Sequence, residues 1–306
     1  MPYDPLQPPY PMRMNKWPFL AAAVLLTACG GDAPPGEDIN LPNAADSAMQ
    51  ADRLDRTRNI FYNIPSPMET AALLQKAGAK YNNKLLNDVK NVDTYTTASD
   101  QALNMGVYGA DLSYASVFNH TQESIFYTSC TKRLAERLGV LAAFNDSTLE
   151  AMERNMGDRD ALLDVISETY WNVDAYLKEN GRENISALMV VGGWMEGLYI
   201  ATQVSATNDS QELRQRIAEQ KLSLNDLLAL VNSYNAGDAA LDAVRNDLIA
   251  VQALYKDVVV EVGSSSVTEE NGVTVLGGDA QGATLTDAQL SAIRDKVAEI
   301  RNAYIN

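Results

Sequence analysis

The chain has 306 residues, with 40 acidic against 24 basic side chains, one histidine and two cysteines. A net charge of −16 with no basic cluster argues against a nucleic-acid partner, because phosphate binding needs a basic face. With Cys130 as the only cysteine besides Cys29, a disulfide inside a folded domain is excluded.

The N-terminus reads as a targeting segment. The Pro-rich "MPYDPLQPPYP" fits neither helix nor strand, so Met12 or Met14 is expected to be the true start. Arg13 and Lys16 are followed by the apolar run "WPFLAAAVLL", Trp17 to Leu26. That run is too short for a membrane span of about 20 residues and reads as a signal peptide over 1–28. Leu26-Thr27-Ala28-Cys29 then resembles the lipobox of bacterial lipoprotein precursors. The resemblance implies cleavage before Cys29 and lipidation of Cys29, and two acyl chains anchor a protein stably. In lipoproteins retained at the inner membrane, Asp directly follows the Cys. Here Asp32 is the third residue after it, so the resemblance implies outer-membrane sorting, on the periplasmic face or the cell surface. Residues 29–50 are rich in Gly, Pro and Asp and read as a flexible tether.

Residues 51–306 have an all-α pattern, expected to form a multi-helix bundle of antiparallel helical hairpins around a core that about 250 residues can bury. Ser66, Pro67 and Glu69 form a capping box, and Leu73, Ala77, Tyr81, Leu85 and Val89 predict one long helix after it. Helices are expected over about 98–118 and 122–138, the latter stopped by Gly139. Cys130 falls in the second of these and reads as a small buried residue. Ser147 and Glu150 cap a short helix. Leu162, Ile166, Tyr170, Val173 and Leu177 mark the next, ended by Gly181, and another begins near Asn184. Asp209 and Glu212 are expected to cap "QELRQRIAEQKL". Leu241, Val244, Leu248, Val251 and Tyr255 mark a further helix. Thr286 and Gln289 cap the last, with a stripe at Leu290, Ile293, Val297, Ile300 and Tyr304. Between these two, residues 258–284 are Val- and Gly-rich around Asn271-Gly272 and read as a small β-hairpin or irregular excursion.

A faint repeat relates two parts of the chain, about 66–140 and 158–234. "ALLQKAGAKYNN" from Ala72 matches "ALLDVISETYWN" from Ala161 at an offset of 89. In the following helices Gly106, Tyr108, Leu112 and Ala115 match Gly192, Trp194, Leu198 and Ala201 at an offset of 86. These matches suggest an internal duplication. Small residues in both helices predict close backbone approach, by the packing logic best known from membranes.

Each of these helices carries one acid in its apolar stretch, Asp111 between Gln101 and Gln122 and Glu196 between Ile185 and Val204. A buried carboxylate must pair or protonate. Glu196 has three open readings: an ion pair, with Lys80, Lys132, Arg133 or Arg137 available; a water-facing helix edge; or the lining of a polar pocket. Trp194, Tyr108 and Tyr199 join the two acids as ligand-binding candidates. Tyr114, Tyr127, Tyr170 and Trp171 are further aromatics that could stack on a sugar, although at helical spacing aromatics more often fill a core. "GGWMEG" resembles the Gly-x-His-x-x-Glu stretch of imelysin-like envelope lipoproteins. Its His is replaced and its spacing differs, so that function is not carried over.

His120 and Glu123 are weak metal-ligand candidates. They reverse the Glu-x-x-His order of carboxylate-bridged bundles and have no second His, so no metal is expected. No nucleophile elbow occurs, and "GGDAQG" at 277–282 lacks dinucleotide or P-loop spacing, so no cofactor is expected. The composite expectation is a lipid-anchored cell-envelope protein, joined to the membrane through Cys29, with a non-catalytic ligand-binding, partner-binding or scaffold role. The alternative is a glycosidase-like hydrolase using Asp111 and Glu196 as paired carboxylates.

Overall fold

Two helices apolar or small on nearly every face set the centre of the protein, since a helix with no polar face must be buried. The computed structural model describes residues 67–141, 150–151, 154–155, 159–208, 210–234, 237–260, 266–270, 273–277 and 285–306. The signal segment, Cys29, the tether and Ser66 lie outside the described residues, as do Ser147, Asp209 and Asn271-Gly272. In order, the helices are α1 (Pro67–Lys76), α2 (Ala98–Val117), α3 (Thr121–Arg137), α4 (Arg159–Glu179), α5 (Glu183–Ser205), α6 (Gln211–Asn232), α7 (Ala239–Leu254) and α8 (Asp287–Ile305). The expected all-α bundle is the architecture seen. A small hairpin sits in the 258–284 excursion, where β1 (Ser266–Glu270) pairs antiparallel with β2 (Val273–Gly277), Ser266 opposite Gly277.

The central pair is α2 and α5, which share the largest helix–helix interface. Around them, α1, α3 and α4 pack on α2, while α4, α6, α7 and α8 pack on α5. By length and composition α5 could cross a membrane, yet 94% of its most apolar window is buried inside the bundle.

The crossing of α2 and α5 depends on two glycines. A Cβ on Gly106 would lie 2.0 Å from the Met189 carbonyl oxygen, and one on Gly192 would lie 2.0 Å from that of Leu103. Residues 103 and 106 become 189 and 192 at the offset of 86, so the contacts are reciprocal under the shift that relates the two sequences. Of the other small residues expected to allow close approach, Gly193 is tight against Pro67, whereas Gly109 faces open space.

Local capping explains most helix ends. Asp238 caps α7, and Thr286 with Gln289 forms the capping box of α8. For α6 the cap is Ser210, whose side chain accepts the Leu213 N–H.

The first predicted helix is corrected. It stops at Lys76 rather than continuing past Val89. Gly78 takes φ +78°, its N–H bonds Gln75 O, and the Ala79 N–H bonds Leu74 O. These bonds form a Schellman stop, which needs a left-handed residue and so favours glycine. Beyond it, Asn82 and Asp88 each accept a backbone N–H two residues on and cap two short 3₁₀ turns, Asn83–Leu85 and Val89–Asp93. Asn and Asp offer the backbone a local partner that competes with the α-helix. Tyr81, Leu85 and Val89 still pack on the core, but from an irregular segment. "ALLQKAGAKYNN" and its partner "ALLDVISETYWN" therefore differ in local structure, since α4 runs unbroken to Glu179.

Candidate functional site

Glu196 lies at the middle of α5, facing inward, with 0% of its surface exposed. Its partner is Arg301 of α8, 4% exposed. Nε of Arg301 donates to Oε2 at 2.7 Å and Nη2 donates to Oε1 at 2.8 Å, a two-pronged pair. Nη2 also donates to Leu85 O at 3.1 Å, and the guanidinium carbon lies 4.6 Å from the Tyr199 ring centroid. Burial works against the Arg301 charge, but Glu196 outweighs it and raises the affinity of the guanidinium for its proton.

None of the four expected cations fills this role. Arg133 and Arg137 both reach Asp93, and Arg137 also donates to Val92 O at 2.8 Å. Lys80 is exposed, and the side chain of Lys132 is only partly buried. A signal for Arg301 was present, since it lies four residues after Val297 and three before Tyr304, on the flank of the apolar stripe.

Asp111, also 0% exposed, meets Glu196 across the helix crossing. Its Oδ2 accepts the Asn87 N–H at 3.1 Å, while Oδ1 accepts no hydrogen bond among the described residues. The two acids border the same stretch of chain, since Arg301, which holds Glu196, also donates to Leu85 O, two residues before Asn87. Burial first, then the Glu196 charge, raise Asp111 well above the usual carboxylate range, against Arg301 and the Asn87 N–H.

Around the acids, side chains of the bundle satisfy the backbone of the irregular segment. The Tyr114 hydroxyl donates to Lys80 O and accepts the Asn82 N–H, both at 3.3 Å. Tyr127 donates to Asn87 O at 3.3 Å and Tyr108 to Asp88 O at 2.9 Å. Buried Asn87 donates to the Tyr95 hydroxyl at 2.9 Å and to Asn104 Oδ1 at 3.4 Å. Tyr95 and Asn104 in turn donate to Ile305 O and Tyr304 O at the end of α8. Buried backbone groups must be paired, and a segment without regular structure has to find side-chain partners. Asn87, Asn104, Tyr95 and Arg301 all belong to this network and were not singled out from the sequence.

The remaining candidates are dispersed. Trp194 is buried and donates to Gln220 Oε1 at 3.0 Å. His120 precedes α3 and stacks on Tyr81, ring centroids 3.6 Å apart; its Nδ1 lies 3.7 Å from Glu123. No group of three or more His, Cys, Asp or Glu is placed to hold a metal among the described residues. Cys130 is buried, and burial pushes its thiol up to about 12, unlike a reactive thiolate.

Two crevices lie beside the central pair. One, between α1, α5 and α6, has about 20 Å³ of free space beside Thr70, Leu73, Leu198, Arg216 and Gln220. A second, about 10 Å³, is bounded by Pro67, Ala110, Tyr114, Gly197 and Ile200. Each is the size of roughly one water, and neither is lined by Glu196 or Asp111. No protein-family model matches the chain, no curated protein matches it, and no solved structure matches it.

Proposed function

We propose that the chain is a lipid-anchored cell-envelope protein, held to the outer membrane through Cys29, whose helical domain has a non-catalytic role as a binding module or scaffold. One observation carries the non-catalytic part. The acids of the two central helices are committed to partners inside the protein, Glu196 to Arg301 and Asp111 to Asn87, at 0% exposure. A glycosidase needs its carboxyls about 5 Å or more apart, with the sugar held between them. Here both are fully buried, neither lines a crevice among the described residues, and the buried tyrosines spend their hydroxyls on the protein's own backbone. The anchor rests on the order of Arg13 and Lys16, the apolar run and Leu26 to Cys29.

Fractionating cells that express the full chain tests the anchor. Cys29→Ala is expected to move the protein from the membrane to the soluble fraction; retention in the membrane would refute it. For the domain, melting shifts are read across sugars, peptides and other envelope components. A glycoside-hydrolysing activity lost in Glu196→Gln, with the fold intact, would overturn the non-catalytic reading.

A further inference from the structure

We propose that Asp111 keeps a buried proton beside the Glu196–Arg301 pair, and that this proton latches the Leu85–Val92 segment over the two central helices. Charge balance is the first reason. Two carboxyls, both 0% exposed, share one guanidinium, and Glu196 already takes both prongs of it. A second unpaired anion in that space would be far costlier than a neutral acid. Hydrogen bonding is the second reason. Asp111 Oδ1 receives no donor among the described residues, which suits an O–H that donates toward Glu196. Like-charged acids in contact resolve their repulsion by retaining one proton.

The groups around Asp111 leave this balance unchanged. Glu196 and Tyr199 face it from α5, Arg301 from α8, and Tyr127 and Cys130 from α3. Tyr81 and Tyr95 face it from the irregular segment and Tyr108 from α2 itself. Burial holds each of these tyrosines and the thiol neutral, so Arg301 is the one cation in the cluster among the described residues. The segment is tied to the charged groups themselves at two points, the Asn87 N–H on Asp111 and the Leu85 carbonyl on Arg301. Loss of the proton to solvent leaves two carboxylates against one guanidinium. The cover, made of two 3₁₀ turns and the bend between them rather than α-helix, is the element this change would loosen.

The sign follows from proton counting. The folded chain keeps a proton on Asp111 that the unfolded chain loses above about pH 4. Stability from this group is therefore complete in acid and falls as pH rises toward the raised folded value. Each pH unit in that window lowers the folding constant up to tenfold.

The test uses the full chain between about pH 5 and 8, with Asp111→Asn as the neutral mimic. The wild type is expected to show the infrared carbonyl band of a buried protonated acid at neutral pH, and Asp111→Asn to lack it. Unfolding of the wild type should grow easier with pH relative to Asp111→Asn, by up to tenfold per unit. Exchange of the Asn87 amide, corrected for its intrinsic pH dependence, should rise with pH in the wild type alone. Absence of the band, a band that survives Asp111→Asn, parallel pH profiles or flat exchange at Asn87 each overturn the proposal. Should Asp111→Asn fail to fold, the wild-type band and the Asn87 exchange still decide.

Discussion

Replacing Gly106 by alanine should separate the two central helices. The added carbon would lie 2.0 Å from Met189 O, 2.6 Å from Gly193 N and 3.0 Å from Met189 C. Ordinary contact needs about 3.5 Å, so the backbones must part locally by roughly 1.5 Å. All three obstructing atoms are backbone, so no rotamer change relieves the clash. Overpacking of this kind costs about 3 kcal/mol, at the upper end of the usual range. Alanine returns about 1 kcal/mol of helix propensity, leaving a net loss of about 2 kcal/mol. In a domain of this size that lowers Tm by about 4–8 °C. Gly109, three residues along the same helix, has nothing within 4 Å of an added carbon. Gly109→Ala should therefore raise Tm by about 2–4 °C. Thermal unfolding of the two variants beside the wild type, followed by circular dichroism, reads the difference. If Gly106→Ala proves as stable as Gly109→Ala, the close crossing is wrong. Gly192→Ala should match Gly106→Ala, and the double variant should lose less than the sum, since one separation relieves both clashes.

Removing Arg301 strands the Glu196 carboxylate in the buried core. Arg301→Met is expected to cost about 3–5 kcal/mol in urea unfolding, and Arg301→Met with Glu196→Met much less. Equal losses in the single and double variants would mean that the pair is not the buried unit described. Tyr127→Phe leaves the buried Asn87 carbonyl without its hydroxyl partner and should cost about 1–3 kcal/mol. Faster amide exchange confined to residues 85–92 should accompany it, and unchanged exchange there would argue that the tyrosine does not brace the segment. A steeper fall in wild-type stability with rising pH than in Asp111→Asn completes the set.

Elements specified by neighbouring residues were legible. The stripe and capping box of α8, the stripe of α7 and the helices at 98–117 and 121–137 need only local periodicity, with Thr286 and Gln289 supplying the one cap read correctly among the described residues. The first helix was misread because its four-residue stripe continues through Tyr81, Leu85 and Val89. Gly78, Asn82 and Asp88 end the helix, while tertiary packing still partly buries those side chains. Asp111 and Glu196 stood out because a lone acid in an apolar helix is conspicuous in any frame.

By itself, then, the sequence determined an all-α bundle, its apolar central helices, the two acids they carry and the lipobox-like start, all properties of local pattern and composition. Only the tertiary structure decided that the acids meet, that Arg301 neutralises one of them and that the irregular segment seals them in. Those outcomes join residues up to 216 positions apart, as in the bond from Arg301 to Leu85, and local propensity carries no information about such distant pairings. An apolar helix shows that an acid must find a partner. Which partner it finds depends on how the helices cross, and here that crossing is set by Gly106 and Gly192, where only a missing side chain lets two backbones touch.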